Sequence, residues 1–333
     1  MTTDRRALIA GSTAIASAMA LPASAQLIAA PAPSPAASAQ APAASAQAPG
    51  FYRFKVGGLT VTTVHDGVAR RPVEGFVRNA PLAEVQAVLT EAFLPADTFT
   101  IPFTVTFVET PQGLVAIDAG TGGQLAPTAG LMAANMRAAG LDPAAVRTVI
   151  VSHFHADHIT GLTTAQNAVV FPNAEIVVPA AEWAWFTDAA NEARSPEGQR
   201  GTFASVARRF APYQGKVRQI SGDAEVVPGI RAVPAHGHTP GHTCYHVADG
   251  NVQMMFLADL TNRPELFARR PDFQPVFDFD ADAAAATRRR LLDRAAADRM
   301  LVTGYHFPFP AQGRIAKEGE GFRFVAGDWS SAV

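Results

Sequence analysis

Val151-Ser152-His153-Phe154-His155-Ala156-Asp157-His158 packs three imidazoles and a carboxylate into six consecutive residues at the end of an apolar, β-branched run, Val146–Val151. The run reads as a buried strand. Side chains alternate across an extended segment, so His153 and His155 face one side, and Asp157-His158 then turn back toward the same space. That arrangement offers two ligands to one cation and two to a second. Cys244 is the only cysteine, which excludes an intrachain disulfide and a thiolate metal cage and leaves the thiol as a small buried residue.

Working outward, Phe51–Val56 and Leu59–Val64 flank Gly57-Gly58 and predict a hairpin. Thr104–Glu109 and Leu114–Ile117 predict a second. A helix is expected over Pro127–Ala139, stopped by Gly140. Beyond the histidines come strands at Glu175–Val178, Glu225–Pro234, Tyr245–Ala248 and Val252–Leu257, with helices at Ala181–Asp188 and Phe203–Phe210 between them. The longest helix is expected over Asp282–Asp298, followed by a strand at Leu301–Thr303. Its Arg288-Arg289-Arg290 reads as a solvated face. Interspersed strands and helices with several hairpins predict a layered α/β protein with mixed sheets.

Residues 1–25 read as an export signal. Arg5-Arg6 precede a short apolar run, Ala23-Ser24-Ala25 supplies a small-x-small cleavage pattern, and the whole resembles a twin-arginine signal. Periplasmic or secreted localisation is therefore expected, without stable membrane insertion. Residues 26–50 form a Pro/Ala/Ser linker, too poor in apolar bulk to order itself, and 51–333 form one folded domain. Hydrophobic residues make up 48% of the 333-residue chain, which excludes disorder throughout, and a net charge of −2 speaks against a nucleic-acid partner.

The His-x-His-x-Asp-His cluster resembles the signature of the metallo-β-lactamase superfamily, and the likeness extends along the chain. His236-Gly237-His238-Thr239-Pro240-Gly241-His242, Leu257-Ala258-Asp259, Gly304-Tyr305-His306 and Ile117-Asp118-Ala119-Gly120 resemble its later motifs, with Ala119 in place of a threonine. The resemblance implies an α/β fold, an αββα sandwich of two mixed β-sheets flanked by helices. It implies that His153, His155 and His238 hold one divalent transition-metal ion, that Asp157, His158 and His306 hold another, and that Asp259 bridges them. Nitrogen and oxygen ligands without sulfur suit zinc, manganese, cobalt or iron and do not select among them; the resemblance puts zinc first. The nucleophile implied is a metal-bridging hydroxide held by Asp259 and Asp157. Asp118 and His242 are expected to support the ligands from behind.

Ala48–Arg53, His65-Asp66-Gly67, Ala235–Thr243 and Gly319–Val325 further resemble the methyl parathion hydrolase group. That likeness implies a small-molecule phosphotriester, aryl ester or lactone as substrate, and leaves a homodimer open. Two alternatives stand: an acyl-homoserine lactonase (quorum quenching) and a non-hydrolytic metal-binding protein of the same fold. Such lactonases usually carry a tyrosine three positions after the bridging aspartate, where this chain has Asn262. An apolar leaving group needs an apolar pocket, for which Leu125, Trp185, Phe203, Phe76 and Asn262 are the candidates.

Overall fold

The computed structural model describes residues 48–333. The export signal expected over 1–25, and the linker up to residue 47, lie outside the described residues. Among those described, no helix is long and apolar enough to cross a membrane.

Among the described residues, fourteen strands form two sheets of seven. The first takes β1 (Phe51–Val56), β2 (Leu59–Pro72), β3 (Thr98–Thr110), β4 (Gly113–Ile117), β5 (Val146–Ile150), β6 (Glu175–Pro179) and β7 (Val217–Ile220) in sequence order. The second takes β8 (Glu225–Val227), β9 (Ile230–Pro234), β10 (Thr243–Asp249), β11 (Val252–Phe256), β12 (Leu301–Thr303), β13 (Gln312–Glu318) and β14 (Gly321–Ala326). Strands β1 to β4 pair antiparallel and β4 to β7 parallel, whereas the second sheet is antiparallel except for β11 with β12. Both sheets are mixed and flanked by helices, the α/β sandwich expected. Strands β7, β13 and β14 and the helix Leu82–Glu91 were not anticipated. β13 and β14 carry Arg314, Lys317 and Arg323 among their apolar residues, so their alternation is weak.

The helix expected over Pro127–Ala139 is confined to Met132–Ala138. Asp66, at the bulge that shifts register between His65 and Gly67, takes the N–H groups that a longer helix would need. Its carbonyl accepts from Gly130 N (2.7 Å) and Leu131 N (3.0 Å), and its carboxylate from Met132 N (2.8 Å). A residue 66 positions away thus sets the start of this helix.

The long helix, Ala281–Ala297, starts at Asp280, whose side chain accepts from Ala283 N. It buries Ala284, Arg288, Leu291, Leu292 and Ala295. The expectation of three solvated arginines fails for Arg288, which shares the helical face of those apolar residues. Its guanidinium donates to the carbonyls of Leu260, Pro271 and Phe273 and to Asp278 Oδ2. Arg290, by contrast, is exposed.

Candidate metal centre

The histidine and aspartate motifs all follow the C-terminal ends of strands: β5 leads to His153–His158, β9 to His238, β11 to Asp259 and β12 to His306. Hydrogen bonds join the two sheets here. Tyr245 Oη donates to Val151 O (2.9 Å), Thr243 N to Ser152 O (3.0 Å) and Tyr305 Oη to Asp157 O (2.6 Å). Two backbone positions adopt left-handed conformations, Asp118 (φ 66°) and Ala258 (φ 47°). Both are non-glycine residues beside the cluster, where such strain is held by surrounding contacts.

Ligand-type atoms converge in two groups, one of His153, His155, His238 and Asp259, the other of Asp157, His158 and His306, each within 4.8 Å. The outer nitrogens explain why the inner ones are lone pairs. His158 Nδ1 faces Asp118 Oδ2 at 2.7 Å, His238 Nδ1 faces Asp278 Oδ1 at 2.8 Å, and His306 Nδ1 faces Pro102 O at 2.8 Å. His153 Nδ1 lies 3.0 Å from Ser152 Oγ, whose own proton goes to Asp118 Oδ2. A neutral ring donates outward to each of these acceptors and turns an unshared pair inward.

Those inner atoms crowd. His155 Nδ1 stands 3.0 Å from His153 Nε2 and 2.9 Å from His238 Nε2, so one proton could serve only one of two lone pairs. His158 Nε2 and Asp259 Oδ1 are 3.1 Å apart, both buried and without a hydrogen-bond partner. Asp259 Oδ2 lies 3.0 Å from His306 Nε2 and 3.4 Å from His238 Nε2. Facing acceptors repel unless an electrophile lies between them. The donor set, nitrogen and oxygen without sulfur, therefore fits divalent transition-metal cations.

Charge follows the same pattern. Burial drives the His155 pKa to about 3, and His238 nearby adds to the shift. Burial opposes ionisation of Asp157, yet His158 and His306 outweigh it and hold the carboxyl near 2. Burial likewise resists charge on His238, but hydrogen bonds to Asp259 and Asp278 prevail and raise it to about 9. With no cation bound, a proton on its Nε2 therefore takes the place that a cation would fill, and the inward lone pair is the metal-binding form. Ionised carboxylates that demand cationic neighbours line the floor of the site.

Behind the cluster, Asp118 binds Ser152 N (2.7 Å) as well as His158, tying the end of β4 to the motif. His242 faces away from the convergence point. Its Nδ1 lies 2.9 Å from Ala235 O, and its Nε2 accepts from Asp259 N (3.2 Å), which orients the backbone that presents Asp259. Burial keeps His242 neutral down to about pH 3. Three supporting residues escaped the sequence reading. Asp278 joins His238 to buried Arg288. Tyr305 packs against His158 at a 33° tilt, ring centroids 3.9 Å apart. Glu182, fully buried in the helix Ala180–Phe186, accepts from Phe154 N (2.8 Å), Thr239 Oγ1 (2.8 Å) and Gly241 N (2.7 Å), fastening the two histidine motifs together. Gly241 is required there, since a Cβ would come within 2.2 Å of Glu182 N. None of the three lies in a pattern that names its partner; only a Glu in the first turn of an aromatic helix was visible.

A cavity of about 320 Å3 opens over the cluster, with His155, Asp157, Asp259 and His306 lining it. Leu125 and Asn262 line it, and Asn262 Oδ1 is buried without a partner. The other three pocket candidates do not. Phe76 is stacked on Phe99 at 4.7 Å in the core. Phe203 packs on Phe186 at 5.1 Å, and its neighbour Thr202, about 100° around the same helix, meets the cavity instead. Trp185 is turned against Phe279 and carries the Arg194 guanidinium on its face. Ala69, Ile101, Phe103, Ala126 and Phe277 supply the apolar walls, and Arg71 adds a cation.

The sequence profile described as "Metallo-beta-lactamase superfamily" matches residues 103–304, taking in each ligand-type residue above except His306. A search of curated proteins gives no significant match. Among solved structures, the chain is similar to AidC, a dizinc quorum-quenching lactonase in complex with a product (24% identity, 85% of this chain and 99% of that one, TM-score 0.80). It is similar to the hydrolase AbOPH in the β-lactamase superfamily (22%, 86% and 100%, TM-score 0.81). A probable metal-dependent hydrolase from Staphylococcus aureus is more distant (19%, 83% and 100%, TM-score 0.69).

Proposed function

The chain belongs to the metallo-β-lactamase superfamily, and we propose that it is a dinuclear-metal hydrolase of aryl esters, lactones or phosphotriesters. The observation that carries this reading is the convergence of inward lone pairs, His155 Nδ1 within 3.0 Å of two other ring nitrogens, beneath an apolar cavity. His153, His155 and His238 would hold one divalent cation, Asp157, His158 and His306 the other, with Asp259 between. Zinc heads the candidates. When bound, such a pair supplies a nucleophile from water at neutral pH and Lewis-acid polarisation of the electrophile.

The chain's own residues do the rest. Asp118, Asp278, Ser152 and Pro102 O keep the ring protons on the outer nitrogens, so each ring presents its lone pair in a fixed orientation. Asp157 and Asp259 remain ionised and balance cationic charge. Ile101, Phe103, Leu125 and Phe277 offer an apolar leaving group a surface that excludes water. A phenolate leaves without a strong general acid, and no nucleophilic side chain is required.

A substrate panel with metal-reconstituted protein tests the reading. Initial rates on p-nitrophenyl acetate, dihydrocoumarin, methyl parathion, an acyl-homoserine lactone, nitrocefin and lactoylglutathione should favour the first four. Asp259→Ala should abolish them, because it removes the anion facing both groups. A lead of more than about tenfold for nitrocefin or the thioester, roughly 1.4 kcal/mol in transition-state stabilisation, would overturn the substrate assignment. Complete inactivity on all six would favour a non-hydrolytic metal-binding protein.

Export belongs to the same proposal, supported by Arg5-Arg6, the apolar run and Ala23-Ser24-Ala25. Intact-mass analysis of the periplasmic fraction should show loss of about 25 residues, a length expected of signal peptides; full-length protein confined to the cytosol would refute it.

A further inference from the structure

The carboxylates and the arginine of the cavity lie at two depths. Asp157, Asp259 and His306 form its floor, where Asp259 and His306 are 6% and 1% exposed and already engaged with the histidine cluster. Arg71, near the end of β2, is exposed and stands at the open end. Ala69, Ile101, Phe103, Ala126 and Phe277 supply most of the wall between them, Asn262 and Thr202 are its uncharged polar members, and Leu125, 43% exposed, shares the outer level with Arg71.

Arg71 differs from the buried or part-buried arginines of this chain, though it shares its lack of a carboxylate partner with several surface arginines; what sets it apart from those is its place in the cavity lining. Arg263, Arg270 and Arg288 each pair with a carboxylate within 3.2 Å. Among the described residues Arg71 pairs with none, and its one defined neighbour is the ring of Phe277, 5.7 Å from the guanidinium carbon. Phe277 is itself a cavity wall. The planar cation is thus laid against the wall that a ligand must pass, its donors uncommitted. Stacking on an aromatic face restrains a guanidinium and leaves its edge free to bind an anion through two parallel hydrogen bonds.

We propose that Arg71 is a specificity-determining residue and that the favoured substrates are esters or lactones carrying a carboxylate remote from the scissile bond. The scissile bond in this statement rests on the hydrolase reading above; the anion preference rests on Arg71. A ligand whose reacting end reaches the buried floor places its far end at the mouth, where Arg71 is the charged group. Low-dielectric walls strengthen such a pairing, and solvent at the mouth limits it, so the preference is moderate and salt-sensitive.

The probes are 4-acetoxybenzoate and its methyl ester, which differ in charge at the far end of the ring. Arg71→Met keeps a long apolar stem over Phe277 and removes the cation, and Arg71→Lys keeps the charge without the fork. The ratio of kcat/KM for the anionic over the neutral ester is expected to fall about tenfold in Arg71→Met, mainly through KM, and less in Arg71→Lys. Raising the ionic strength from about 0.05 to about 0.5 M should narrow the wild-type ratio but not that of Arg71→Met. The same contrast is read without turnover by calorimetric binding of 4-acetamidobenzoate and its methyl ester to the metal-loaded chain. An unchanged ratio in Arg71→Met, in rates or in binding, overturns the proposal. If neither ester is hydrolysed but the wild type binds the anionic amide more tightly and Arg71→Met loses that preference, Arg71 stands and the hydrolase reading falls.

Discussion

Asp278 acts on the site through one ring. Its Oδ1 receives the His238 Nδ1 proton and its Oδ2 receives Arg288, so a full carboxylate is held between a candidate ligand and a buried cation. Asp278→Asn keeps the shape, halves the acceptor capacity and leaves an amide donor facing either His238 or Arg288. Loss of such an outer partner typically weakens metal binding by about 10- to 100-fold. Competition with a chromophoric chelator should show that loss for one of two ions, the one assigned to His153, His155 and His238. Equal affinity of both ions in the variant and the wild type would refute the role. His238 stands out in the sequence because Thr-Pro-Gly-His follows it. Asp278 does not, because it lies 40 residues further on in Val276-Phe277-Asp278-Phe279-Asp280, which has no local pattern.

Among elements, the short helix Ala180–Phe186 matters beyond its length, because Glu182 clamps the loop after β5 to the loop after β9. Burial lifts its pKa to about 7 against the pull of three donors, from Phe154, Thr239 and Gly241. At pH 8, above that value, Glu182 is a carboxylate with each donor matched. Glu182→Gln substitutes a donor for one acceptor oxygen and sets it against a backbone N–H. Leaving a buried donor unsatisfied costs about 1–3 kcal/mol, but the raised pKa means that wild-type stability falls as pH rises through about 7. At pH 8 the variant, spared the buried charge, should therefore lose less in urea midpoint than the donor cost alone. It should also show a flatter pH dependence across 7, with metal affinity reduced as both loops loosen. An unaltered midpoint together with an unaltered pH dependence would show that the clamp carries no stability. At this scale the sequence located most strands and the long helix from their periodicity. It misplaced the start of the helix Met132–Ala138, whose first N–H groups belong to Asp66 on a distant strand.

Across the whole molecule, each sheet contributes part of the cluster: β5 of the first, and β9, β11 and β12 of the second. Cations bound there would fasten one sheet to the other and relieve the crowding of lone pairs. A ligand that binds only the folded state adds stability by mass action, about 4 kcal/mol at a thousandfold excess over its dissociation constant. Calorimetry should therefore show a melting temperature several degrees lower after chelation, restored by zinc. Identical melting of stripped and reloaded protein would count against ions held between the sheets.

What the sequence by itself determined is whatever is encoded within a few residues. The period of a strand and the spacing in His153–His158 are local, and local sterics and ligand chemistry fix their meaning. Only the tertiary structure decided which side chains share a space. It turned Thr202 rather than Phe203 toward the cavity, drew Arg288 inward onto Asp278, and laid Arg71 against Phe277 at the cavity mouth. Those outcomes depend on helix phase and on where strands remote in sequence come to lie, and both are set when the two sheets pack and each buried polar group must find a partner.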